Sequence, residues 1–291
     1  MSTASTEKPL SSWWRHTVIL VMVLGFGLLA VVTVLTYTNA PPIPERVTDA
    51  AGATLFTREN VEHGQEVFLK YGLMEHGSLW GHGAYLGPDY SAEYLHRLAE
   101  ITRDTLARER HGLPYAQLDP DTATSLDAGV HRLLKENRYD PATGTLRFSP
   151  AEAAAWEVQK TEWAEYFSGD KPAPGLPAKY IRDPNDLADL NSYFAWAAWA
   201  TVANRPGKDY SYTNNWPYEP AVGNRPSAST YLWSALSLVT LLAGLGAVLF
   251  AFGRFDFLGW HGSSNAGHAH DSAVARWTLT PSQKVVGLYF G

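Results

Sequence analysis

The chain has 291 residues, with 23 basic and 29 acidic side chains, a net charge of −6 and no cysteine. That length has room for one or two domains. The missing thiols exclude disulfides and the two thioether bonds by which a C-x-x-C-H run holds haem.

Apolar residues are concentrated in two runs. Thr17 to Tyr37 is 21 residues without a charge, roughly 30 Å of helix and enough to cross a hydrocarbon core. The alternatives are a buried core helix or a signal peptide. The run is long for a signal, and no small-x-small site follows before Asn39-Ala40-Pro41-Pro42, so a retained anchor is expected. Residues 39–48 are proline-rich and predict a linker. Residues 58–71 suit a helix, with Val61, Gln65, Phe68 and Leu69 at helical spacing. The segment Gly72–Pro88 holds five glycines and predicts a loop; its Gly81-His82-Gly83 follows no strand pattern and is weak support for a nucleotide site.

Ser91 is expected to cap a helix reaching about Glu109, and a second helix is predicted near Asp121–Asn137. Ser149-Pro150-Ala151-Glu152 is a strong start signal, because it combines a capping serine, proline at the first helical position and glutamate three residues after the cap. The helix it opens carries Trp156, Trp163 and Phe167 on one side. Asp183-Pro184 opens another, containing Leu187, Leu190, Phe194, Trp196 and Trp199. Helical spacing makes core packing the default for these tryptophans, ahead of ligand stacking. Tyr210–Pro226 is extended and aromatic, with little β pattern anywhere.

Tyr231–Phe252 is a second uncharged run, of 22 residues. His261, His268 and His270 follow in a glycine-bearing linker where a solvated role is favoured over a metal site. Residues 285–291 predict the start of a third membrane segment, so the chain is expected to be part of something longer. Lys8 and Arg15 before the first run and Arg254 after the second favour both termini in the cytoplasm.

The run V-F-L-K-Y-G-L-M-E-H-G-S-L-W-G-H-G-A-Y-L-G-P-D (Val67–Asp89), within the informative stretch from His63, resembles the haem c segment of the small, cytochrome-carrying subunit of bacterial nitric oxide reductase. The cysteines of that segment would fall at Leu73 and His76 and its axial histidine at Gly77. Asn214-Asn215-Trp216-Pro217 is similar to that subunit's end. A branch of the family fuses this subunit to the catalytic one and has lost haem c, namely the quinol-dependent enzymes, and the chain resembles their N-terminal part.

The resemblance implies an all-α membrane protein with two transmembrane helices flanking a mainly helical, cytochrome c-like periplasmic domain. Its expected layout is a cytoplasmic N-terminus (1–16), a first span (17–37), a periplasmic domain without haem c (38–230), a second span (231–252) and a cytoplasmic linker leading into a third segment (253–291). It implies the reaction 2 NO + 2 e⁻ + 2 H⁺ → N₂O + H₂O at a haem b₃/non-haem iron centre, with haem b as relay, on a helical bundle not contained in the chain. No catalytic residue is therefore assigned.

By resemblance, Gly83 and Tyr85 help bind calcium at the contact with that bundle; calcium prefers oxygen ligands, which a glycine-rich backbone exposes. A tight packing loop is the competing role. For His76 and His82 a surface or hydrogen-bonded role is favoured over metal ligation, and for Met74 packing is favoured over an axial role. Glu66, Glu75 and Asp89 are weaker candidates for proton entry than for a solvated face. The tryptophan-rich helices are expected to fill the volume a haem would occupy. Expected partners are the catalytic bundle, membrane quinol, the lipid bilayer of the bacterial inner membrane and a possible second copy, with no nucleic acid. A stand-alone membrane-anchored sensory or assembly domain is the alternative function.

Overall fold

The structure, a computed structural model, describes residues 12–255. It divides into two compact units, one ending at Thr230 and the other beginning at Tyr231. The first contains α1 (Ser12–Thr38) and a mainly helical domain. The second contains nearly all of α7 (Ala228–Phe255). Both helices include an uncharged run long and apolar enough to cross a membrane, and neither buries that run inside the protein. The histidines at 261, 268 and 270 and the 285–291 segment lie outside the described residues.

Four helices build the domain core: α2 (Arg58–Lys70), α3 (Tyr90–His111), α5 (Pro150–Ser168) and α6 (Pro184–Val202). Helix α6 is central, and every residue from Leu190 to Ala203 is buried. A helix apolar all round has to be enclosed, and α2, α3 and α5 enclose this one. Local signals set the helix starts. Ser149 and Glu152 close the capping box of α5, and Asp183 accepts from Asn185 N at the start of α6. Helix α4 (Pro120–Lys135) begins after Asp119 in the same way.

Three departures from expectation arise. First, a small sheet is present. Strands β1 (Arg46–Thr48), β2 (Thr54–Thr57), β5 (Tyr139–Asp140) and β6 (Thr145–Arg147) form it in the order β2-β1-β6-β5, with β1 inside the expected linker. Strands of two to four residues carry no readable alternation. Second, the cap of α3 is Asp89 rather than Ser91, because the Asp89 carboxylate accepts from Ala92 N at 2.9 Å. Third, Asn214 and Asn215 both take left-handed φ values (55° and 59°), and Asn215 Oδ1 accepts from Lys135 Nζ at 2.7 Å. Burial pushes the Lys135 ammonium down to about 8.

Polar ties fix α2 on α6. His63 Nδ1 lies 2.7 Å from Asp189 Oδ2, Asn60 Nδ2 donates to Asp189 Oδ1 at 2.7 Å, and Lys70 Nζ donates to Asp186 Oδ2 at 2.8 Å. The Asp189 bond raises the His63 pKa above its ordinary 6.5. A raised folded-state pKa stabilises fully below the unfolded value, and the benefit is lost as pH rises through the folded one. The gap in Tm between the wild type and His63→Gln is therefore expected to be wider at about pH 5.5 than at about pH 8.5. A gap that is flat or widens with pH would contradict the tie.

Candidate functional site: the glycine-rich turn

After α2, Gly72 turns left-handed (φ 59°) into a 3₁₀ turn, Leu73–Glu75, that buries Leu73 completely. The chain then forms a two-stranded hairpin of β3 (Ser78–Leu79) and β4 (His82–Gly83), with Ser78 opposite Gly83 and Leu79 opposite His82. Its two-residue connection, Trp80-Gly81, has φ values of 52° and 79°. That is the geometry of a tight hairpin turn whose twist matches the strands. A tryptophan at positive φ is costly and must be held. Trp80 Nε1 donates to Ala197 O at 3.1 Å, its ring lies 5.4 Å from that of Trp196, and its backbone N–H donates to Ser91 Oγ at 3.1 Å.

Asp89 organises the base of the hairpin. Oδ1 accepts from Ser91 Oγ (2.6 Å) and Ala92 N, while Oδ2 accepts from Ser78 Oγ and Gly81 N, both at 2.8 Å. A carboxylate with all of these donors is a structural clamp, so its expected place among solvated or proton-carrying groups is corrected. Asp89→Ala removes a helix cap and three further bonds. We expect a loss of about 2 kcal/mol, read as a fall of roughly 5 °C in Tm in detergent micelles. An unchanged Tm would remove Asp89 from this role.

The segment that resembles a haem box is closed by packing. A side chain at Gly77 would meet Pro88 O at 2.3 Å and the Tyr90 ring at 2.9 Å, so no axial ligand fits where the resemblance puts one. The space beyond is filled with rings. Tyr90 stacks on Phe194 at 4.8 Å, and Trp163 lies 5.1 Å from Phe194 and 5.7 Å from Tyr90. Phe68 and Phe167 complete the cluster, at 5.7 and 6.0 Å from Tyr90. Of the four tryptophans expected to pack together, only Trp163 joins this cluster, with Tyr90, Phe68 and Phe194. Trp156 packs separately on Phe56 (5.8 Å), and Trp196 packs on Trp80. Tyr90 and Tyr166 are not among the residues expected at the site; an aromatic directly after a capping Asp is the signal that points to Tyr90.

His76 is buried, so of the two expected roles the surface one is excluded and the hydrogen-bonded one remains. Its Nε2 lies 3.4 Å from Tyr166 Oη, and its Nδ1 has no partner. Burial lowers its pKa, keeping the ring neutral, and raises that of Tyr90 far above the ordinary phenol value. His82 is exposed. Met74 is 44 % exposed, so it packs less than expected.

Gly83 folds back on the 3₁₀ turn. At its φ of 141°, a Cβ would lie 2.3 Å from Gly77 O and 3.0 Å from Met74 O, so only glycine fits. The next residue, Ala84, donates its N–H to both of those carbonyls, at 3.1 and 2.8 Å. Beyond it, Tyr85 is 88 % exposed and Leu86 is also exposed. The structure therefore sets Gly83 and Tyr85 on one outward-facing turn beside Met74. No group of three His, Asp or Glu side chains suited to a metal occurs among the described residues. This turn offers isolated oxygens, and a calcium ion there would need carboxylates from a facing polypeptide.

The family model for the NorB cytochrome c-like domain of nitric oxide reductase matches residues 44–218. No curated protein matches the chain. The matched span is more than half of the chain and takes in both the closed haem box and the turn. The chain belongs to the NorB family of nitric oxide reductase subunits and carries their cytochrome c-like domain between its two apolar helices.

Proposed function

We propose that this chain is the N-terminal part of a quinol-dependent nitric oxide reductase of the bacterial inner membrane, with its helical domain on the periplasmic side capping the catalytic bundle. The observation that carries this reading is the closed haem box: Gly77 abuts Pro88 O and Tyr90, Trp163 and Phe194 occupy the space beyond, while the neighbouring turn stays exposed. A covalent c-haem relay is impossible without thiols. Electrons then reach the bundle by another route, and membrane quinol is the donor that the resemblance to the quinol-dependent branch implies.

The cofactors of the catalytic part, haem b, haem b₃ and non-haem iron, supply electron transfer and the site at which two NO become N₂O and water. The residues of this chain have a mechanical role. Trp163, Tyr90 and Phe194 keep the domain rigid without a prosthetic group. Tyr85, Leu86 and Met74 present apolar surface to the bundle. Gly83 and Tyr85 contribute oxygens to a calcium ion whose remaining ligands come from the bundle.

The test is donor specificity. Membranes containing the chain together with its catalytic portion should form N₂O from NO with a reduced quinol, and should form none with reduced soluble cytochrome c. Turnover driven by cytochrome c overturns the quinol assignment. No NO consumption with either donor overturns the enzyme assignment.

A further inference from the structure

Between the apolar runs the chain has 26 acidic and 18 basic side chains, so a surface where cations dominate is unexpected. Many of the cations are neutralised in ion pairs, such as Arg58 with Glu45, Arg97 with Glu93 and Glu162, and Arg103 with Asp127. Arg46, Arg110, Arg132 and Arg147 are all exposed, and none has a carboxylate within ion-pair distance among the described residues.

These four arginines converge. Arg46 and Arg147 line an open cleft of about 720 Å³ with Arg138. Arg110 and Arg132 line a second, of about 310 Å³, and Arg132 and Lys135 line a third, of about 450 Å³. Glu136 borders all three, so the clefts adjoin one another there. The sheet register explains the first cleft. Arg46 pairs with Thr145 and Thr48 with Arg147, while Val47 and Leu146 between them point into the core. Both arginines are thereby held on the outer face. The acids present are largely committed. Glu136 pairs with Arg138, and Asp140 accepts from Ala142 N and Thr143 Oγ1.

The position of this surface names its ligand. Asn204 lines the third cleft, and the next residue, Arg205, donates from Nη1 to Asn39 Oδ1 at 3.3 Å. Asn39 in turn donates from Nδ2 to Leu35 O in the last turn of α1. Trp196 Nε1 donates to Pro42 O at 2.9 Å, fixing the chain just after α1. The arginine surface therefore starts where the membrane helix ends.

We propose that these clefts bind the phosphates of anionic phospholipid headgroups and seat the domain on the bilayer. A guanidinium is a planar, weakly hydrated donor fork that matches phosphate oxygens, and basic clusters beside a membrane helix attract anionic lipid. The inference rests on α1 crossing a membrane and not on the proposed reaction, so a chain that reduces no nitric oxide can still pass its test.

The test uses the full chain in mixed micelles with equal phosphatidylglycerol and phosphatidylcholine, counting retained lipid by native mass spectrometry. The wild type should retain phosphatidylglycerol about fivefold over phosphatidylcholine. The variant R46Q/R110Q/R132Q/R147Q should lose most of that preference, and K171Q/R182Q should keep it. The double variant R132Q/R147Q, with its helix content checked by circular dichroism, gives the same reading with less change to the surface. Equal enrichment in wild type and arginine variants overturns the proposal and leaves the clefts to an acidic protein partner. Loss of the bound phosphatidylglycerol to inorganic phosphate at about 10 mM also overturns it, in favour of a free-phosphate site.

Discussion

A Gly83→Val protein is expected to keep its helices and lose nitric oxide turnover by about tenfold or more, a loss of at least roughly 1.4 kcal/mol in transition-state terms. Two costs act together. The φ of 141° is available to glycine and strained by on the order of 3 kcal/mol for a β-branched residue. The new Cβ would also stand 2.3 Å from Gly77 O and 2.8 Å from Ser78 Cα. The chain relieves both by moving the turn, and the bifurcated bond from Ala84 N to Met74 O and Gly77 O is lost. The atoms nearest that Cβ belong to Met74, Gly77 and Ser78, outside the long helices, so far-ultraviolet circular dichroism should be unchanged. Tyr85→Ala separates docking from folding. Its side chain is 88 % exposed, so truncation should leave Tm intact and still lower turnover. If Gly83→Val and Tyr85→Ala both turn over like the wild type, the turn is not a contact with the catalytic bundle.

The second large effect is expected at Trp163. Its indole is 1 % exposed and lies among Tyr90, Phe194 and Phe167, with the Arg97 guanidinium 5.1 Å from the ring. Trp163→Ala empties the middle of the aromatic cluster. Such truncations cost about 3–5 kcal/mol, since the neighbours relax only in part. That corresponds to a Tm lower by roughly 10 °C in the same micelles. Phe194→Ala should do much the same, and the double variant should fall short of the sum because the rings share one cavity. A shift below about 3 °C for Trp163→Ala would mean that the cluster is loosely packed and is not what rigidifies the domain.

The parts of the fold legible in the sequence are those specified locally. Ser149-Pro150-Ala151-Glu152 and Asp183-Pro184 announce α5 and α6 because a side chain meets a backbone N–H two or three residues away. The two long apolar helices are legible because length and the absence of charge mark them. What pairs distant segments is not legible. Strand β1 at Arg46 lies beside β6 at Thr145, and nothing near either residue encodes the other. The arginine surface depends on that pairing and stays hidden with it.

At the turn, the glycines and the absent cysteines are readable, but the burial of His76 is not. It follows from Tyr166 and Tyr90 arriving from α5 and α3. Asp89 departs from expectation because a carboxylate near a loop most often faces water, whereas this one has four donors converging on it from the first strand and the turn of the hairpin and from the start of α3.

On the proposed reading, the cytochrome frame survives as a contact surface while its electron relay is gone. Quinol-driven N₂O formation by membranes from cells that cannot attach haem to c-type cytochromes puts both halves of that reading at risk. The rate is expected to equal, for the same amount of protein, the rate in cells with the attachment machinery intact. Activity that disappears without that machinery would contradict it.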